Sequence, residues 1–168
     1  QAHKAYAQAL AMHGNNRQAI RHLAAAASLK PDADTQLQLA SLLYANGDPS
    51  AAVAHLRRAL ALKPDHAEAL NNLAWILATS PNDSMRDGNE AVKYAQQACR
   101  LTSFKRAQML SVLAAAYAEA GRFPEAISTA EGAIRIATAS GDQRSVAINQ
   151  QLLVLYRAGK PFHESPAV

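Results

Sequence analysis

The chain runs to 168 residues, with apolar residues at 49%, aromatics at only 5% and a formal net charge of +4. Alanine stands wherever a helix would want it and period-two runs of Val, Ile and Thr are missing, so an all-α protein is expected. A single cysteine, Cys99, excludes an internal disulfide framework, and no apolar run approaches the ~18 residues of a membrane span.

The expectation is a soluble chain, cytoplasmic or periplasmic, with no membrane insertion. It opens on QAHKAYAQ, without Met and already amphipathic, which reads as a piece of a longer protein. The first helix pair is predicted over 1–32 and turns at Gly14. The second, over 33–66, turns at Gly47 and restarts at Pro49, where a first-turn residue needs no amide hydrogen. The third, over 67–105, has a loop longer by about five residues than its siblings, bracketed by Pro81 and Gly88, and Asp87 with Glu90 has capping-box spacing. The fourth, over 106–140, turns at Gly121 and restarts at Pro124. A capping helix over 142–158 and a tail over 159–168 complete one domain, with Gly159 and Pro161 stopping the helix.

The copies repeat one another. GNNRQAIRHLAAAASLKPD aligns with GDPSAAVAHLRRALALKPD at an offset of 33 (47 − 14, and 64 − 31 for the prolines). GRFPEAISTAEGAIRIA from Gly121 is a third copy, and NEAVKYAQQACRLT a looser fourth. Such periodicity signals stacked helix pairs, none of which buries its apolar face by itself.

This pattern resembles the tetratricopeptide repeat family in its bacterial form, across most of the chain. The family's small first-helix residue corresponds to Ala7, Ala40, Ala74 and Ala114, and its large packing residue to Leu10, Leu43, Leu77 and Tyr117. The small second-helix residues correspond to Ala19, Ala52, Ala91 and Ala126, then Ala26, Ala59, Ala98 and Ala133. The closing proline is matched only by Pro31 and Pro64, and the opening aromatic is replaced by His3, Gln36, Leu70 and Leu110. The resemblance implies a right-handed α-solenoid of four helix-turn-helix repeats plus a C-terminal cap, whose first helices line a concave groove.

Carried over by position, the groove would show Gln1, Lys4 and Gln8, then Asp34, Gln38, Ser41 and Tyr44. It continues with Glu68, Asn71, Asn72, Trp75 and Thr79, then Gln108, Ser111 and Glu119. Trp75 is the sole tryptophan and aligns with the smaller Gln8, Ser41 and Ala115. It either stands up from the groove floor beside Asn72 or folds down to fill the space those residues leave. Asn72 resembles in part the groove asparagines with which some members of the family hold peptide backbone; the aligned residues are Ala5, Gln38 and Val112, so the resemblance implies a local grip and no continuous ladder. The expected binding residues are therefore Gln38, Ser41, Tyr44, Glu68, Asn71, Asn72, Trp75, Thr79, Gln108 and Ser111.

No catalytic constellation, metal-ligand spacing, phosphate loop or cofactor motif is legible. His22 and His55 sit on the outward face of second helices, which reads as surface, and Cys99 lies on a packing helix, which reads as a buried inert thiol. The groove holds one base, Lys4, against three acids, Asp34, Glu68 and Glu119, which argues against nucleic acid and for a neutral or basic peptide segment. Arg57 and Arg58 fit a solvated outer face. The expected function is a non-catalytic scaffold holding a peptide or helix of a partner protein. The alternative is structural stacking or self-association within a larger protein. In the final helix Val146, Ile148, Leu152, Leu153 and Leu155 are expected to pack, and Gln143, Arg144, Asn149, Gln150 and Arg157 to stay wet.

Overall fold

A computed structural model describes residues 2–165, apart from the side chains of residues 2–4 and Gln8, so the groove positions Gln1, Lys4 and Gln8 lie outside the described residues. Among the described residues every regular element is helical. The α-helices are α1 (Ala2–Met12), α2 (Asn16–Leu29), α3 (Ala33–Ala45), α4 (Pro49–Leu62), α5 (Ala67–Thr79), α6 (Gly88–Leu101), α7 (Ala107–Glu119), α8 (Phe123–Ser140) and α9 (Gln143–Arg157). The chain forms two compact units, 1–69 and 70–168.

In the first unit α1 pairs with α2, α2 with α3, and α3 with α4. Its core gathers Ala7, Ala19, Leu23 and Leu39, with Leu10, Ile20 and Leu43 packed around them. In the second unit α6 pairs with α7, α7 with α8, and α8 with α9, while α9 also reaches α7. Covered from these sides, α7 is buried at every position from Met109 to Ala118. All twelve small residues of the repeat pattern are buried, from Ala7 through Ala133. A methyl at these sites lets backbones approach closely, and leucines such as Leu56 and Leu73 fill the gaps, each burial contributing ~1.5–3 kcal/mol.

Local chemistry sets the boundaries. Gly14, Gly47 and Gly121 take positive φ at the ends of first helices, which only glycine adopts without strain. Pro49 opens α4, and Asp87 caps α6 by accepting from the Glu90 amide at 2.9 Å. Asp142 caps α9 through Ser145 N. Gly88 closes the inserted loop, as its bracketing position predicts. Gly88 is the first residue of α6 without positive φ, and a Cβ there would meet Ala120 N at 2.5 Å and the Glu119 carbonyl carbon at 2.7 Å. Backbone proximity, not turn geometry, demands this glycine.

The inserted loop carries a 3-10 turn at Asp83–Met85 and is tied down by Arg86. That guanidinium donates to Glu119 (2.8 Å), the Ser80 carbonyl (2.8 Å) and Asp83 (2.6 Å). Burial opposes its charge, but the bonds to Glu119 and Asp83 outweigh this and raise its pKa.

Candidate peptide-binding site

Within the second unit, α5, α7 and α9 enclose a pocket of about 240 Å³ lined by Asn71, Asn72, Trp75, Gln108, Ser111, Val112, Ser145, Ile148 and Asn149. Five of the ten residues expected from the sequence meet here. Asn71 is 5% exposed and Asn149 fully buried. The amide of Asn149 is oriented by its surroundings. Its Nδ2 donates to the Ser145 carbonyl (2.8 Å) and to Ser111 Oγ (2.7 Å), which itself donates to the Ala107 carbonyl (2.9 Å). Only an NH₂ group can face a carbonyl, so Asn149 presents its Oδ1 elsewhere, and that oxygen has no donor. Asn71 Oδ1 is likewise buried without a donor. A buried acceptor left unmade costs about 1–3 kcal/mol, so both carboxamides are held at a cost to the fold.

Trp75 forms one wall of this pocket and on another side meets the C-terminal tail. Its Nε1 donates to Glu164 Oε1 at 3.0 Å, and its ring lies 6.0 Å from that of Phe162, tilted by 33°. The Glu164 amide donates to the Thr79 carbonyl at 2.8 Å, and His163 Nε2 lies 2.7 Å from Glu119 Oε2. The indole is therefore half-buried, neither bare on a groove floor nor sunk in the core. Thr79 departs from expectation: its side chain is fully buried, with Oγ1 donating to the Trp75 carbonyl at 2.8 Å, so only its own carbonyl is presented.

Gln38 and Ser41 line a pocket of about 330 Å³ in the first unit with Ala7, Ala11, Leu23, Leu37 and Leu42. Gln38 Oε1 is buried without a donor there, while Ser41 Oγ donates to the Leu37 carbonyl. Tyr44 and Glu68 line neither pocket. Glu68 lies 3.6 Å from Nδ1 of the buried His66, whose Nε2 lies 3.0 Å from Asp34. The two repeat-related histidines are not simply surface. His22 meets the Tyr6 ring edge-on at 4.7 Å, and His55 Nδ1 lies 2.7 Å from Gln36 Oε1. Burial, then Arg58, lowers the His55 pKa.

Cys99 is fully buried, and desolvation pushes its thiol up to about 11 although Arg100 pulls the other way. Among the described residues no group of three or more His, Cys, Asp and Glu could hold a metal ion, and no helix is long and apolar enough to cross a membrane.

Sequence reasoning missed the α9 contribution. Asn149 was expected to stay wet and Ile148 to pack, whereas Asn149 is buried and Ile148 is 42% exposed. The signal was present, because Asn149 shares the i, i+3, i+4, i+7 stripe of Leu152, Leu153 and Tyr156, all buried.

The family model of the tetratricopeptide repeat matches residues 33–76, covering α3, α4 and most of α5. Residues 33–76 thus carry a tetratricopeptide repeat. Solved structures share the fold of its helix pairs. The crystal structure of MamA protein matches at TM-score 0.72 and 21% identity, over 94% of this chain and 86% of that one. MamA 41-end from Desulfovibrio magneticus RS-1 gives 0.71 at 17% identity, over 94% of each chain. PilW, a widely conserved type IV pilus biogenesis factor, gives 0.68 at 18% identity, over 94% of this chain and 77% of that one. Comparison with curated proteins by sequence gives no match.

Proposed function

We propose that this tetratricopeptide-repeat chain is a non-catalytic interaction module that holds an extended segment of a partner protein in the pocket between α5, α7 and α9. The observation that carries the reading is the polar pocket lined by Asn71, Asn72, Gln108, Ser111 and Asn149, in which Asn71 and Asn149 each carry a buried carboxamide oxygen without a donor. Peptide N–H groups match them, Asn72 and Gln108 can both donate and accept, and Trp75, Val112 and Ile148 give apolar contact. The lining carries no charged side chain, which suits a neutral segment and offers nothing to a phosphate backbone. The pull toward a basic segment is weak, because Asp34, Glu68 and Glu119 lie against His66, Arg86 and His163. Self-association is the second reading, favoured by the exposed Val154 on α9.

Selection from a displayed library of random peptides tests the first reading. Peptides should be recovered whose affinity falls ~10-fold or more on Asn72→Ala, the scale of a lost amide pair in a desolvated site, with helicity unchanged. Recovered peptides that bind Asn72→Ala and Gln108→Ala as well as the unaltered chain would place the ligand elsewhere and defeat the proposal.

A further inference from the structure

The tail Phe162-His163-Glu164 crosses α5 and α7 in an extended form, without helix or turn from Lys160 to Ser165. Its side chains alternate as a strand's do. Phe162 and Glu164 both turn to Trp75, the aromatic ring beside the indole and the carboxylate accepting from Nε1, while His163 turns the other way to Glu119. Its backbone is gripped as well, since the Glu164 amide satisfies the carbonyl of Thr79, the last residue of α5, which no intrahelical donor reaches. A short extended segment is thus held by one main-chain bond, one indole-to-carboxylate bond, one ring contact and one imidazole-to-carboxylate contact. Those are the elements of sequence-selective peptide recognition.

We propose that this seat recognises an extended aromatic–polar–acidic peptide, and that the chain's own Phe162-His163-Glu164 is its resident occupant, which a partner bearing the same pattern displaces. The inference rests on the interaction-module reading and adds the partner's chemistry at the Trp75 end of the site. A cationic or imidazole side chain fits the middle position, opposite Glu119. Proline is excluded at the acidic position, where the main-chain N–H is needed.

Trp75 is the only tryptophan, so its emission reports the seat directly. The test compares the full chain with its Phe162→Ala/Glu164→Ala variant, both checked for helicity, and uses as probe the acetylated and amidated peptide KPFHES, residues 160–165. The double substitution should shift Trp75 emission to longer wavelength, and the peptide should reverse the shift saturably. The unaltered chain should need ~10-fold more peptide, because a tethered tail at an effective concentration on the order of 1 mM competes with a peptide of Kd on the order of 100 μM. A peptide with Ala for Phe and Gln for Glu should fail.

Unchanged emission in the double variant, no saturable reversal, or equal binding of the altered peptide would each overturn the proposal. If library-selected peptides still bind the double variant while KPFHES does not, the tail's seat is only a structural clasp and the amide-pocket reading stands. Loss of both overturns both.

Discussion

The pockets of the two units differ in chemistry although one repeat pattern builds both. In residues 1–69 the walls are Ala7, Ala11, Leu23, Leu37 and Leu42, with Gln38 and Ser41 the polar side chains among the described residues. In residues 70–168 the walls are Asn71, Asn72, Gln108, Ser111, Ser145 and Asn149, with Trp75 and two aliphatic residues. The frame is the same in both: small residues at Ala7, Ala40, Ala74 and Ala114 are all buried. The pattern that identifies the repeat therefore says how helices approach one another, while the residues between the pattern positions decide what a pocket can hold.

That division predicts which substitutions move stability and which move binding. Leu73→Ala, in the frame and fully buried, should cost about 2–5 kcal/mol through lost burial and a residual cavity, measured by chemical denaturation. A cost under 1 kcal/mol would mean that the frame is looser than its packing implies. Gly88→Ala should cost about 1–3 kcal/mol, since the new methyl meets the backbone of Glu119 and Ala120, which cannot move aside as a flexible side chain would. Pro49 opens α4 as Gly88 opens α6, and Pro49→Ala should cost less, a contrast that separates close approach from helix-start chemistry.

Asn71→Leu reverses the sign. Removing an acceptor that is buried without a donor should raise stability by about 1 kcal/mol while weakening peptide binding ~10-fold, as expected where a site holds unmade bonds for its ligand. Destabilisation would show that Asn71 is a structural residue.

The smallest effect is a pH dependence at α9. Hydrogen bonds from Ser145 Oγ and Ser145 N hold the Asp142 carboxyl below the usual aspartate range. A lowered folded-state pKa means the cap contributes fully above the unfolded value, about pH 4, and is lost as pH falls through the lowered one. Asp142→Asn keeps a capping oxygen without that titration, so any difference in melting temperature between it and the unaltered chain at pH 7 should shrink at pH 3. A difference independent of pH would remove the charge from the account.

Much of this was legible in the sequence because it is local or periodic. The glycine turns, the Pro49 start, the Asp87 cap and the buried alanines follow from spacing within one repeat. Asn71, Asn72, Trp75, Gln108 and Ser111 followed from the resemblance, which fixes where first-helix residues stand.

What was not legible depends on contacts distant in sequence or on side-chain choice. The Trp75–Glu164 bond spans 89 residues, and no periodicity announces it. Thr79 was expected to face a ligand, but its hydroxyl bonds back to its own helix at the Trp75 carbonyl. Polarity alone assigns Asn149 to water, yet its NH₂ group is satisfied by Ser145 and Ser111, which offsets part of the cost of burial on an apolar stripe.

The central claim is that the α5–α7–α9 pocket grips peptide backbone through donor-less amide oxygens. It is tested most directly by replacing, one at a time, each backbone N–H of a selected peptide with N-methyl and measuring Kd against the unaltered chain and Asn71→Leu. One or two methylations should weaken binding to the unaltered chain by ~10-fold or more, and the same methylations should cost little further in Asn71→Leu, the coupling expected when both changes remove one bond. Methylation losses of equal size in the two proteins would contradict it.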